Sequence, residues 1–517
     1  MEGSRLTWAS QVAHLSTSCN KQLDIMKRIT GTRWGADRDL LLNYYKTTIR
    51  ARIMYGSSIY GAAAPSTLSK LDTIQNAALR IAMGAMRSSP VVSLHAESGI
   101  PPLATHRKEV LCHHYHRIRS LPPTHPLSKQ HSTSGVDQDA PVWLPGARQP
   151  LLVRALLVHL TLHLTPPPPQ PIRPHSPIPP WLDISHMVSL HIPGLPPKPS
   201  SSIVAATHFL QLDRTLYHHH LKIYTDGSHS PSPPSTASAI YDPRTSTCRT
   251  WRLPPETDVL TAELYALHQA LAHLHTTHAR GKGRKAVIYT DSLSSLHLLL
   301  SRHPTSSTAL AHTTQRALLL LTSEGWEVTL QWVPSHSGIK GNNIADAAAK
   351  MALADVNITP LPLPLSTAKR LISCTCRASW DDTLAHTLRI TSMGQYRTNS
   401  SPQPWVRKTS RVLDVALTRL RLGHTRLGAH LHRLRLVPDP HCPWCRTAED
   451  TIEHLLLHCP RHHSQRVLLR HQLRALDVPT FDLPTLLAAA GVHPSRQEAV
   501  LRLTCAFLRK TRQLTRL

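Results

Sequence analysis

The chain is short of acidic residues, of aromatics and of long apolar runs. Only 31 Asp and Glu stand against 58 Lys and Arg, a formal net charge of +27 before any of the 37 His is protonated. An excess of that size favours a polyanionic partner, nucleic acid first. Compositional bias alone is the blander explanation, and the 43 Pro give it weight in some segments. The longest apolar run, Leu151 to Leu164, is broken by Arg154, His159 and His163 and is too short to span a bilayer. No basic amphipathic helix stands out for a membrane surface. The opening Met1-Glu2-Gly3-Ser4-Arg5 is polar and lacks the pattern of a secretory leader. The expected location is therefore intracellular, nucleus or cytoplasm. Nine Cys is an odd number; three of them cluster with a His, which fits a reducing compartment better than a disulfide framework. Neither a Tyr-x-Asp-Asp polymerase signature nor an apurinic-type endonuclease sequence is visible, so no polymerase activity is expected from this chain alone. No membrane partner and no small-molecule substrate are indicated, and the sequence names no protein partner.

What is present centres on a tetrapeptide used twice. Ile223-Tyr224-Thr225-Asp226 recurs as Ile288-Tyr289-Thr290-Asp291, each copy closing a short β-branched run. That pattern predicts two strands, each delivering an Asp at its carboxyl end. In open α/β sheets this is where ligands collect. Two carboxylates brought together repel unless something positive lies between them, and a divalent cation is the usual answer. Further strands are expected over 237–241, 248–253 and 328–333. A helix is predicted where Leu260, Leu264, Leu267, Leu271 and Leu274 recur at helical spacing, with Glu263 beside that stripe. Further helices are expected over 292–302 and 309–322. The strand over 328–333 runs into a loop containing His336, and Gly341-Asn342-Asn343 opens an Ala-rich helix containing Asp346.

Taken singly, an Asp at a strand end is ordinarily a turn former, a helical Glu is solvated, and a loop His has no role. Taken together, the order strand-Asp, helix-Glu, strand-Asp, loop-His, helix-Asp resembles ribonuclease H type 1. The match is carried by Thr225-Asp226-Gly227-Ser228, Thr261-Ala262-Glu263, Tyr289-Thr290-Asp291-Ser292 and Trp332-Val333-Pro334-Ser335-His336-Ser337-Gly338 to Gly341-Asn342-Asn343-Ile344-Ala345-Asp346. The resemblance implies a mixed five-stranded α/β sheet with flanking helices over 218–354. It also implies hydrolysis of the RNA strand of RNA–DNA hybrids by two Mg²⁺ (or Mn²⁺) ions about 3.5–4 Å apart. By the family pattern Asp226 bridges both ions, Glu263 and Asp291 hold one side and Asp346 the other. His336 shuttles a proton or helps product leave, and Asn342 contacts substrate. A catalytically silent nucleic-acid-binding remnant is the alternative. Two features depart from the family. His229-Ser230-Pro231-Ser232-Pro233-Pro234 stands where relatives carry glycines, which puts the first hairpin in question. The insert Thr276–Lys285 is a basic loop, either phosphate-touching or simply a solvated turn.

The flanks are basic and helical. Over 1–118, Leu40, Leu41, Tyr44, Tyr45 and Ile49 recur at helical spacing, as do Leu68, Leu71, Ile74 and Ala78, with Asp37 and Ser66 as candidate N-caps. Gly31-Thr32-Arg33-Trp34-Gly35-Ala36-Asp37, Leu71-Asp72-Thr73-Ile74-Gln75-Asn76-Ala77-Ala78-Leu79-Arg80 and Arg87-Ser88-Ser89-Pro90 are similar to the thumb and connector after the reverse-transcriptase palm of jockey-like and I-like non-LTR retrotransposon polyproteins. On that resemblance the chain is expected to be the C-terminal fragment of such a polyprotein, or a gene model built from one. Residues 119–217, rich in Pro and His, are expected to be a linker. Residues 366–440 are expected to be a basic helical region and 463–517 a basic helical tail.

Between these, 441–462 is read as a small zinc knuckle. Cys442-x2-Cys445-x8-His454-x4-Cys459 offers three thiolates and an imidazole, a set suited to structural tetrahedral Zn²⁺. His454 falls on a helix expected over 451–457, and His458 and His441 stand as alternative fourth ligands. By analogy with the same retrotransposons the knuckle binds nucleic acid.

Overall fold

A computed structural model of the chain describes residues 7–121, 125–127, 151–162, 183–196, 201–277, 284–301, 308–361, 364–401 and 410–517. They fall into two compact units. One takes residues 113–141 and 163–372, the other 1–112, 142–162 and 373–517.

The first unit is built on a six-stranded sheet. Its strands are β1 (Val188–Ser189), β2 (Leu221–Pro231), β3 (Pro234–Asp242), β4 (Thr247–Leu253), β5 (Arg284–Thr290) and β6 (Trp326–Trp332), in the order β1-β6-β5-β2-β3-β4. The pairs β1–β6, β6–β5 and β5–β2 are parallel, and β2–β3 and β3–β4 are antiparallel. Side chains alternate across a strand, so each copy of the repeated tetrapeptide serves both faces. Ile223 and Ile288 enter the core beneath helices α2 (Val259–Thr277), α3 (Leu293–Leu300) and α4 (Thr308–Ser323). Tyr224 and Tyr289 point the other way, into a core with α1 (Ser202–Thr215) and α5 (Lys340–Ala352).

Two expectations need correcting. The sheet has six strands, not five, because Val188–Ser189 pairs in parallel with the outer edge of β6, Val188 opposite Leu330 and Ser189 opposite Gln331. A two-residue strand shows no periodicity of its own, and it covers an edge that would otherwise present unpaired backbone groups. The linker reading of 119–217 also does not hold for 183–196 and 201–217. Asp213 of α1 accepts hydrogen bonds from Tyr289 Oη at 2.7 Å and Lys222 Nζ at 2.6 Å. Tyr217 Oη donates to Gln331 Oε1 at 3.0 Å, and Gln331 Nε2 donates to the carbonyl of His191 at 3.0 Å. These ties fix the segment to β5 and β6. The Pro-rich run 166–169 lies outside the described residues.

The questioned hairpin forms, with Pro231 opposite Pro234. At a hairpin tip the missing N–H groups of Pro leave no central ladder bond unmade. Residues 278–283 of the basic insert lie outside the described residues. Its last two residues are engaged: Arg284 lies over the Trp326 ring at 5.4 Å, and Lys285 pairs with Glu327 at 2.7 Å.

The second unit is helical among its described residues and draws on both ends of the chain. Leu41, Ile49, Leu71 and Leu79 share one core with Trp380, Leu384, Met393 and Leu422. Asp37 caps its helix, accepting from the N–H of Leu40 at 2.8 Å. Ser66 does not cap the next one. Pro65 is itself the first helical residue, a position where its missing N–H costs nothing. A second core joins Leu455 and Leu456 to Leu469, Leu473, Leu486 and Leu508.

Candidate active site and metal centre

The parallel register of β2 and β5 places Tyr224 beside Tyr289 and Thr225 beside Thr290. The two Asp that follow therefore leave adjacent strands at the same level. Asp226 is still within β2, paired with Ala239 of β3, whereas Asp291 follows the last residue of β5. Glu263 arrives from α2, whose start is capped by Asp258 accepting from the N–H of Thr261 at 2.8 Å. Ligand oxygens of Asp226, Glu263 and Asp291 all lie within 4.8 Å of one another.

Two glycines allow this approach. A Cβ at Gly227 would stand 2.7 Å from the backbone nitrogen of Glu263, so only glycine lets β2 sit so close to α2. A Cβ at Gly341 would stand 2.2 Å from the Tyr224 ring, which seats the start of α5 against β2.

The electrostatics are those of crowded anions. Asp226 is 5% exposed and Glu263 6% exposed. Burial, then the charges of Asp291 and Asp346, push the Asp226 carboxyl up to about 8. Burial first, then Asp226 and Asp291, drive Glu263 well above the usual carboxylate range. Burial also raises Asp291, opposed by the amide of Asn342 and by His336. Oε2 of Glu263 is buried and has no hydrogen-bond partner. Oxygen donors this close, dehydrated and under-partnered, fit a hard divalent cation.

The remaining predicted residues stand differently. Asp346 does not join the close group of three; its Oδ2 accepts from Lys350 Nζ at 2.7 Å, although its charge reaches all three. His336 is exposed in the loop before α5, in a left-handed conformation with φ 52°, within electrostatic reach of Asp291. Asn342 is 3% exposed and donates from Nδ2 to Asp291 Oδ2 at 3.2 Å, so its contact here is with a carboxylate. Sequence reasoning missed Asp213 and Gln331, and it placed Gly227 and Gly341 in motifs without the close approaches that require glycine there. Only Lys350, one helical turn after Asp346, carried a readable signal.

In the helical unit, Cys442, Cys445, His454 and Cys459 also gather within 4.8 Å. Cys442 Sγ lies 3.9 Å from Cys459 Sγ, and Cys445 Sγ lies 3.4 Å from His454 Nε2. The two alternative ligands are elsewhere. His441 is bound to Asp439 at 2.7 Å, and His458 faces Glu453 at 3.6 Å with 63% of its side chain exposed. The expected helix starts as α-helix at Ile452 and Glu453 and widens into a π-helical turn at His454–His458, whose Leu455 and Leu456 lie in the core. Donors of this kind fit a thiophilic, tetrahedral ion.

A mixed sheet with acidic side chains massed at the carboxyl ends of its parallel strands defines an α/β domain with a candidate divalent-metal site. Residues 218–354 match the family model of RNase H, and this stretch is an RNase H domain. No curated protein matches the chain. No helix among the described residues is long and apolar enough to cross a membrane.

Proposed function

We propose that this protein is a divalent-metal-dependent ribonuclease that hydrolyses the RNA strand of RNA–DNA hybrids. The observation that carries the reading is the meeting of Asp226, Glu263 and Asp291 within 4.8 Å, with one Glu263 oxygen buried and unpartnered. These three residues, with Asp346, would hold two Mg²⁺ or Mn²⁺ ions. When bound, the metals supply an activated water and stabilise charge on both the attacking and the leaving oxygen. The chain's own residues do the rest. Asn342 holds the Asp291 carboxylate in one orientation. His336, exposed beside the site, moves a proton or aids product departure. The 2′-hydroxyl distinguishes the strand to be cut, and the net charge of +27 attracts the polyanion.

The Cys and His centre is proposed to hold structural Zn²⁺ and, with the basic helical flanks, to contact nucleic acid. The order of motifs before the RNase H domain supports descent from a non-LTR retrotransposon polyprotein. An in-frame polymerase palm encoded upstream of Met1 would test that descent.

The deciding experiment is cleavage of a labelled hybrid with Mg²⁺ or Mn²⁺. Wild type cuts the RNA strand, and Asp226→Asn slows cutting on the order of 10³-fold, the scale of losing several kcal/mol of charge stabilisation. Binding with steep salt dependence but no cleavage, unaffected by Asp226→Asn, would instead favour a silent nucleic-acid-binding remnant.

A further inference from the structure

Three of the four donors of the Cys and His centre are buried, Cys459 fully, Cys442 at 1% and His454 at 7% exposure, and Cys445 is half-buried. Three thiolates and a neutral imidazole around a divalent ion leave one net negative charge. A buried charge of that kind needs a compensating cation nearby. Several arginines surround the knuckle, but most are engaged elsewhere. Arg461 and Arg516 lie over the Trp444 ring at 5.4 and 4.5 Å, and Arg516 also pairs with buried Asp450. Arg446 is exposed.

Arg466 is different. It lies on the helix His463–Arg474 and is 5% exposed. Its Nη2 donates to the carbonyl of Cys459 at 2.6 Å, which holds the guanidinium against a ligand residue. Its Nη1 is buried with no hydrogen-bond partner. The Cys459 thiol is within its electrostatic reach, and so is His454. A buried cation with an unused N–H, held by the backbone carbonyl of a candidate ligand residue, lacks only an anionic acceptor.

Resting on the zinc reading, we propose that Arg466 is the positioning residue of this centre, the built-in counter-charge whose free N–H is taken up by the Cys459 thiolate once metal binds. Arginine suits the place because its fork serves a carbonyl and a second acceptor together and its charge persists on burial. Outer-sphere partners of this kind orient ligands and hold metal affinity up.

The test uses the full chain, with zinc affinity from chelator competition and Co²⁺ as a spectroscopic probe. Arg466→Gln is expected to weaken zinc binding about 10- to 100-fold and to move the thiolate-to-Co²⁺ charge-transfer band to longer wavelength. Arg466→Lys, which keeps the charge, is expected to stay within a few-fold of wild type. Should Arg466→Gln fail to fold, Arg466→Lys carries the test alone. An unchanged affinity in Arg466→Gln, or an Arg466→Lys that falls as far as Arg466→Gln, overturns the proposal. A wild-type chain showing no thiolate-to-Co²⁺ charge transfer overturns the zinc reading and this proposal together.

Discussion

Asp226 is the residue whose removal should move two measurements in opposite directions. It is buried against Glu263 and Asp291, and without metal that crowding costs folding energy. In metal-free buffer at neutral pH, Asp226→Asn is therefore expected to raise thermal stability, on the order of 1 kcal/mol or more, while with metal present it slows hybrid cleavage on the order of 10³-fold. A thermal melt in chelator and a cleavage assay check the two signs separately; a destabilised variant would argue against mutual repulsion. Gly227→Ala should act without touching a carboxylate. The new methyl group meets the Glu263 backbone nitrogen at 2.7 Å, so α2 must shift, at a cost of about 1–3 kcal/mol. Cleavage should fall with it. Both residues were legible as parts of a motif. The reason for the glycine was not, since close approach between β2 and α2 exists only once the two pack.

At the scale of elements, α1 and β1 extend the RNase H unit beyond the matched residues 218–354. Asp213→Ala leaves the Tyr289 hydroxyl without its acceptor and Lys222 without its partner. The expected loss is about 1–3 kcal/mol, read as a lower denaturation midpoint; no change would mean that α1 is an ornament. Periodicity found α2 because five leucines repeat at helical spacing along it. It missed α1 and β1 because a Pro- and His-rich context masks a short strand and a weakly patterned helix. The π-helical turn at His454–His458 would tie metal binding to packing, since it carries both a candidate ligand and two core leucines. Stripping the metal is expected to loosen that core, with apparent zinc contributions on the order of 10 kcal/mol. Hydrogen exchange around Leu469 and Leu473 with and without chelator would show it.

Across the whole molecule, the helical unit is assembled from segments that lie on either side of the RNase H domain in sequence. Its joint is Glu97, whose side chain is fully buried and pairs with Arg38 at 2.9 Å and Arg421 at 2.7 Å. Burial pushes this carboxyl up, but Arg421, Arg38 and Arg397 outweigh burial and hold it at about 2, against an ordinary 4.5. A carboxyl depressed on folding adds stability that is present above its unfolded value and lost as pH falls. The unit should therefore weaken between about pH 4.5 and 2 by on the order of 3 kcal/mol. Glu97→Gln removes the carboxylate that Arg38 and Arg421 share, leaving Arg38 with Asp414 and Arg421 with the Leu487 carbonyl, and should cost about 3–5 kcal/mol at neutral pH. It should also remove this part of the acid sensitivity. An acid titration of stability in both proteins checks both statements.

The sequence by itself determined what depends on near neighbours along the chain. The order of the carboxylates and the spacing of the three cysteines with His454 are of this kind, because strand ends, helix turns and knuckles are local. Asp37 as a cap belongs with them. What only the tertiary structure decided depends on which distant surfaces meet. It singled out His454 from three candidate histidines and gave Asp346 to Lys350. It added a sixth strand to the edge of β6. It also brought Glu97 to Arg38, 59 residues away, and to Arg421, 324 residues away. No pattern of spacing carries such a meeting, because burying a charge is tolerable only where the fold supplies its partner.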